Sequence, residues 1–487
     1  MVAGASVAFI VIPQGLAYAE IAGMPPVTGL WAAGIPAIAA AIFASSRYLQ
    51  TGPTAMTALL SFGAISAIAI PGTPGFVGLA VLLALVVGVI RIALGLLKLG
   101  GLTDFMSSPV IAGFTSAAAI LIIASQLPAV TGLSDAPTSL LGRLPDTLVR
   151  VSEWDLSALG LAVLAVGVIA ASRRIGPLVP GVLIAVGIGT LIGGLSGSGG
   201  PQIGMVPEGL PELGLSFPWG RIGDILVPGI AIAVVGFAEP TAIARTMALE
   251  DREPWNASRE LVAQGLASVS SALSGGFVVG GSFSRSAVNR MAGARTRLSG
   301  AISGLVVLAF MPFAGVLSTL PRSVLGAIVI SATLPLVRPG ALRRMASISR
   351  PQGFVGVSTL LATLAFAPRV DLGVVAGVVV AALTHIVREA RSVVVDTRFA
   401  DGTLELRPAG VLFYGSAGIL SREILDLVAQ HPLCVTVRLD LSRLGRIDYS
   451  GVSMLLETAS QIEQAGIGVE LLNIPDQARA LFLRSGS

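Results

Sequence analysis

Two stretches of this sequence carry residue types whose chemistry is out of place in an apolar chain. The first runs from Gln14 to Gly52-Pro53-Thr54-Ala55. The second runs from Glu239 to Gly280-Gly281-Ser282-Phe283-Ser284, with Arg285 next. Pro53 lies 39 residues after Gln14, and Ser284 lies 45 after Glu239. Each stretch pairs a polar side chain inside one apolar block with a Gly- or Pro-rich break that opens another. A helix beginning at such a break presents unpaired N–H groups and the positive end of its dipole, which favours an anion. One such end contributes about 0.3–1 kcal/mol when exposed and ~2 kcal/mol when partly buried. Taken singly, either break reads equally well as a kink or a packing point. Interrupted segments at matching places in two halves point to a transporter binding site.

The side chains at these places each allow two readings. Arg285 within an apolar segment costs roughly 2.5–3.5 kcal/mol on insertion scales, so it either faces a site or bonds backbone carbonyls there. Glu239 sits in Val235-Gly236-Phe237-Ala238-Glu239-Pro240. A carboxyl there is expensive unless protonated or paired, which suits a proton-coupling group or a static bridge to Arg285. Glu20, near the far end of the first block, is a second coupling candidate, or it reaches the water interface. Gln14 is a donor to an anion or glue between helices. Ser284 is a site residue and an ordinary helix N-cap.

The elements that must hold these residues are membrane spans. Of 487 residues, 54% are hydrophobic and only 12% charged, about half the charge of a soluble protein. The apolar blocks lie near 2–21, 27–44, 54–70, 76–97, 109–127, 156–172, 177–195, 224–247, 259–279, 284–294, 299–317, 322–338, 352–367 and 371–390, which makes fourteen. The cations test the count. With a cytosolic N-terminus, 17 of them, Arg91 and Arg391 included, fall on the cytosolic side and 5 on the other, as the positive-inside rule requires. Seven spans precede the loop at 196–223 and seven follow, so the two repeats run in opposite directions. Net charge is +7 over residues 1–391 and −3 over 392–487. The expected domains are therefore a membrane domain, with repeats at about 1–196 and 224–391, and a small cytosolic α/β domain at 392–487.

Three long motifs carry a family resemblance. The first is Pro13-Gln14-Gly15-Leu16-Ala17-Tyr18-Ala19, followed by Ala22-Gly23-Met24-Pro25-Pro26 and Thr51-Gly52-Pro53-Thr54-Ala55. The second is Gly281-Ser282-Phe283-Ser284-Arg285-Ser286-Ala287-Val288-Asn289. The third is in the tail, at Leu406-Arg407-Pro408, Asp440 and Ile447-Asp448-Tyr449-Ser450-Gly451. Together they resemble the SulP (sulfate permease) family of anion transporters with its C-terminal STAS domain. The resemblance implies fourteen segments in two inverted repeats, with segments 3 and 10 as half-helices whose N-termini meet at the anion site. By motif that site would be Gln14, Tyr18, Pro53, Thr54, Phe283, Ser284 and Arg285. It also implies a homodimer, elevator-type movement, and substrates among sulfate, bicarbonate, chloride and dicarboxylates. Sodium-coupled carriers of the family have an Asp-rich version of the Glu239 segment. Glu-Pro-Thr-Ala here leans toward protons. Ser450 matches a position phosphorylated in soluble STAS relatives, although a serine at a helix start also caps.

The tail reads as strands at 403–407 and 410–416, a helix near 418–430, a strand at 433–440, a helix at 450–464 and a strand at 467–472. By family pattern it looks truncated, and the first span looks clipped. The short link at 430–433 points to a bacterial protein, hence a plasma-membrane location with the N-terminus and tail cytoplasmic. One cysteine (Cys434) and two distant histidines (His385, His431) leave no metal or disulfide framework, and no cofactor is expected. No basic stripe suggests nucleic acid, and no Ser/His pair or HExxH suggests an enzyme. The expected partners are a small inorganic or organic anion, protons, lipid, a second copy and a protein partner for the tail. The leading expectation is proton-coupled symport of sulfate or a dicarboxylate. The others are an uncoupled exchanger or channel, and a receptor signalling through the tail.

Overall fold

A computed structural model describes residues 1–101, 107–133, 141–176, 179–390 and 394–485. Arg391 and the expected domain boundary beside it lie outside the described residues. The chain divides into two compact units, residues 1–378 and 379–487.

The first repeat holds α1 (Val2–Ile21), α2 (Val27–Trp31), α3 (Ile35–Phe43), β1 (Gln50–Gly52), α4 (Ala55–Ile65), α5 (Pro74–Leu96), α6 (Ser108–Thr131), α7 (Arg143–Val149), α8 (Leu156–Ile175) and α9 (Gly181–Ser196). The second holds α10 (Ile222–Glu250), α11 (Ala257–Leu273), β2 (Gly280–Ser282), α12 (Phe283–Met291), α13 (Leu298–Phe310), α14 (Arg322–Thr333), α15 (Pro339–Ile348), α16 (Arg350–Ala365) and α17 (Val370–Ala390). With α2 and α3 as one broken segment, and α7 and α15 as connectors, these are the fourteen expected segments. Eight helical stretches among the described residues are long and apolar enough to cross a membrane alone. The others are shorter or more polar; of these, α4 and α11 are largely buried inside the protein.

Punctuation residues place the ends. Thr73 caps α5, accepting from the Phe76 N–H, with Pro74 as its first residue. Asn256 caps α11 through the Arg259 N–H (2.9 Å). Gly132 at φ 77° ends α6 in the left-handed region.

The repeat is visible in the packing. Moving seven segments along the chain turns α3 against α13 into α11 against α5, and α1 against α13 into α10 against α5. Likewise, α1 against α12 becomes α10 against α4. The first of these matched crossings is built from glycine on both sides. A Cβ on Gly88 would lie 2.8 Å from the Gly265 carbonyl, and one on Gly304 would lie 2.5 Å from the Gly34 carbonyl. Bare backbones let the helices approach this closely where lipid supplies no hydrophobic drive.

The second unit contains the tail sheet, ordered β3-β4-β5-β7, with β6 also on β4. Its strands are β3 (Val394–Ala400), β4 (Thr403–Leu412), β5 (Thr436–Asp440), β6 (Leu444–Ile447) and β7 (Gly468–Leu472). Its helices are α18 (Tyr414–Ala429), α19 (Tyr449–Gln464) and α20 (Asp476–Ser485). Leu404, Leu406, Val437 and Leu439 from the sheet pack with Leu420, Ile424, Val452 and Leu455 from the helices. Hydrogen bonds from Asn473 (2.9 Å) and Ser442 hold the Asp440 carboxyl below its usual range.

Four tail expectations need correction. The expected strands 403–407 and 410–416 are one strand ending at Leu412, because Pro408 and Ala409 between them stay paired with β3 and the irregularity is a bulge at Gly410 (φ 122°). There β4 changes partner from β5 to β6. Strands β3 and β6 were not expected. Cys434 precedes β5 rather than lying in it. Ser450 does not cap α19: Asp448 does, accepting from the Gly451 N–H (2.8 Å), and Ser450 is exposed in the first turn.

Candidate functional site

The two interrupted segments meet as an antiparallel pair. Gln50 lies opposite Ser282, Thr51 opposite Gly281, and Gly52 opposite Gly280. At membrane depth extended backbone survives only where its N–H and C=O groups find partners inside the protein. The pairing supplies them, and side chains fasten it. Ser286 Oγ accepts from the Gln50 N–H (2.9 Å) and donates to the Ser282 carbonyl (2.7 Å). Gln264 Nε2 donates to Thr51 Oγ1 (2.7 Å). From this crossing α4 and α12 start, wedged between α1 and α10.

The two starts differ. Thr54 caps α4 in a capping box with Thr57: each backbone N–H is received by the other's hydroxyl, at 3.3 and 3.2 Å. At α12 the N-cap position is Ser282, and its side chain caps nothing. Ser284 is therefore not the cap. It is exposed in the first turn, 3.4 Å from the Ser282 hydroxyl, beside an exposed Phe283.

Arg285 is the third residue of α12 and is 1% exposed. None of its three guanidinium nitrogens has a hydrogen-bond partner. Its Nη1 and Nη2 lie 3.5 and 3.6 Å from where a side chain on Gly52 would begin, so the group rests against bare β1 backbone. The carbonyl bonds read as one alternative for Arg285, and the static bridge read for Glu239, are both missing from the structure. Arg285 bonds no carbonyl, and it makes no ion pair within 4.0 Å with Glu239, although Tyr18 and Glu239 are the groups that act on it electrostatically. A buried polar group left without a partner costs about 1–3 kcal/mol, more when charged.

The remaining candidates divide. Gln14 follows Pro13 on α1. It is buried, and its Oε1 is unpartnered. Tyr18 lies one turn on, on the same face, also buried. Pro53 is buried behind the Thr54 cap. Glu239 lies on α10 beside Pro240, whose missing N–H leaves the Gly236 carbonyl free of its helical partner. Glu20 is placed elsewhere. It pairs with Arg322 on α14 (3.4 Å) and lines a cavity of about 570 Å³ with Arg143 and Gln126.

Sequence reading missed a polar stripe on α11. Glu260, Gln264, Ser268 and Ser271 are all fully buried, and their spacing of four, four and three puts them on one helical face. Glu260 accepts from the Ser45 and Ser46 N–H groups (3.0 and 2.8 Å). That spacing within an otherwise apolar block was the available signal. Arg91, counted from sequence as a cytosolic-end cation, is fully buried and bonded to backbone carbonyls.

Residues 1–359 match the Sulfate permease family and residues 394–487 match the STAS domain. The chain belongs to the sulfate permease family. It is a multi-pass membrane anion transporter and not an enzyme. Among curated relatives of this permease, "Probable sulfate transporter Rv1739c" of Mycobacterium tuberculosis is 33% identical over 81% of this chain and 70% of its own. The "Sodium-independent sulfate anion transporter" of Bos taurus is 29% identical over 97% of this chain and 83% of its own. Murine Solute Carrier 26 family member A9, in an inward-facing state, superposes with TM-score 0.90 at 20% identity, over 99% of this chain and 86% of its own; that likeness concerns the fold. The transmembrane domain of a cyanobacterial bicarbonate transporter, BicA, superposes with TM-score 0.67 at 26% identity, over 78% of this chain and 96% of its own.

Proposed function

We propose that the chain is a secondary active symporter that carries sulfate or a small dicarboxylate with protons across a bacterial plasma membrane. In this reading it works by elevator-type alternating access, as a homodimer with its N-terminus and tail in the cytoplasm. The observation that carries the reading is Arg285: a buried guanidinium with no partner, at the uncapped start of α12. An anion placed there receives charge-assisted hydrogen bonds, the α12 N–H groups and the positive end of its dipole together. Gln14 and Tyr18 on α1 complete the wall, and Thr54 orders the facing α4 start.

Glu239 is the proton carrier of this scheme. It acts on Arg285 electrostatically without pairing to it, so a proton on Glu239 removes a negative charge that competes with the incoming anion. Glu20 is the second candidate, with Arg322 as its partner. Relatives named as sulfate transporters support sulfate as the first substrate to try.

The test is uptake by purified protein in liposomes, from a panel of labelled sulfate, bicarbonate, chloride and dicarboxylates, with and without an inward proton gradient. Sulfate or dicarboxylate accumulation driven by the gradient is expected. Arg285→Ala removes an interaction of about 1.5–3 kcal/mol and raises KM roughly ten- to hundred-fold, with protein yield unchanged. Gradient-independent exchange, or equal losses of yield and uptake in the variant, would reject this scheme.

A further inference from the structure

Arg91 lies within α5, yet it is fully buried, and among the described residues no carboxylate forms an ion pair with its guanidinium within 4.0 Å. All three of its nitrogens are occupied. Nε donates to the Ala233 carbonyl (3.2 Å) and Nη2 to the Ile232 carbonyl (3.4 Å), both on α10. Nη1 donates to the Val279 carbonyl (2.9 Å) and to Ser268 Oγ on α11 (3.3 Å). Val279 is the residue immediately before β2. One rigid, planar fork thus ties three parts of the second repeat to a helix of the first. A lysine, with one point charge on a flexible stem, cannot reproduce it. The backbone leaves room for the fork: a Cβ on Gly236 would fall 2.7 Å from Arg91 Nη2.

The two buried arginines are opposites. Arg285 has three free nitrogens beside a candidate anion site, and Arg91 has none free. Arg91 grips α10 two turns before Glu239 and grips the chain six residues before Arg285. It therefore fixes the height at which α12 starts relative to the helix that carries Glu239.

We propose that Arg91 is a positioning residue for transport: its fork holds the strand leading into α12 so that Arg285 and the free N–H groups of that helix face the anion. This rests on the reading of the α12 start as the anion site, and the experiment separates the two. In the full-length chain with Cys434→Ser, Ser284→Cys supplies one exposed thiol at that start. Its modification rates by sulfonatoethyl methanethiosulfonate, an anion, and by neutral methyl methanethiosulfonate are measured as a ratio. Arg91→Lys keeps the charge and removes the fork, while Gly236→Ala displaces the fork and leaves residue 91 an arginine. Both are expected to lower the anionic-to-neutral ratio at least threefold. General loosening would raise both rates together and leave the ratio where it was.

Arg285→Ala is the control. If it leaves the ratio unchanged, the anion-site reading is lost. If it lowers the ratio and neither Arg91→Lys nor Gly236→Ala does, the positioning role is overturned. If both of those variants fail to yield folded protein, Arg91 is a scaffold residue and the proposal also falls.

Discussion

Burial alone does not tell a ligand-binding arginine from a structural one; the state of its nitrogens does. Sequence made Arg285 legible because it directly follows the Gly-rich break that opens a counted span. Arg91 was not legible in the same way. It lies near Lys98 at the end of an apolar block, where topology counting absorbs a cation without remainder. Glu239 was legible as an ionisable group far from either end of its block. Its prediction concerns pH. If its proton accompanies the anion, uptake rises as the outer pH falls. Glu239→Gln, fixed in the neutral form, should then transport with a flat profile between about pH 5 and 8. The check is initial uptake rate in liposomes at fixed inner pH. A variant that keeps the wild-type pH profile would remove Glu239 from the coupling scheme. Hydroxyl roles at helix starts were the least legible, because neighbouring residues compete for the cap. Ser282 takes the position expected for Ser284, and Asp448 takes the one expected for Ser450.

Secondary structure was readable where apolar blocks were long and hard to read where elements were three to seven residues. The strand β3 reads VVDTRFA and has too much charge to announce itself, and Pro408-Ala409 looked like a break although β4 runs through it to a bulge at Gly410. Caps and close approaches give two predictions at this scale. Asp448→Ala removes the cap of α19, worth about 1 kcal/mol. Amide exchange at Gly451 in the intact protein should accelerate roughly fivefold, while Ser450→Ala leaves it within twofold. The second concerns α1 against α2, where a Cβ on Gly29 would lie 1.8 Å from the Gly15 carbonyl. That contact sets the approach of the helix carrying Gln14. Gly29→Ala should abolish monodisperse protein on size-exclusion chromatography, since overpacking by even a methyl typically costs about 1–3 kcal/mol and here meets backbone that cannot rotate away. Gly160→Ala, with nothing within 4 Å, should elute as wild type.

At the scale of the molecule, the antiparallel relation of the repeats followed from an odd number of spans per half, but their interpenetration did not. No pattern in one helix announces that α3 packs on α13 or that β1 pairs with β2. Those contacts imply that neither repeat is a folding unit. A chain divided in the loop between α9 and α10 should give fragments that are inactive and unstable alone. Co-expressed, they should copurify and restore uptake. Activity from either fragment by itself would contradict this. Gln50 finds its strand partner, Ser282, only after a further 232 residues have been made, nearly half the chain. At ~5–20 residues per second, the first repeat waits on the order of ten to fifty seconds with an unpaired strand edge. A segment with bare N–H and C=O groups cannot rest against lipid for that time. Until β2 arrives, the Gln50–Gly52 segment therefore needs shelter from lipid that the first repeat's own strand partner does not yet supply.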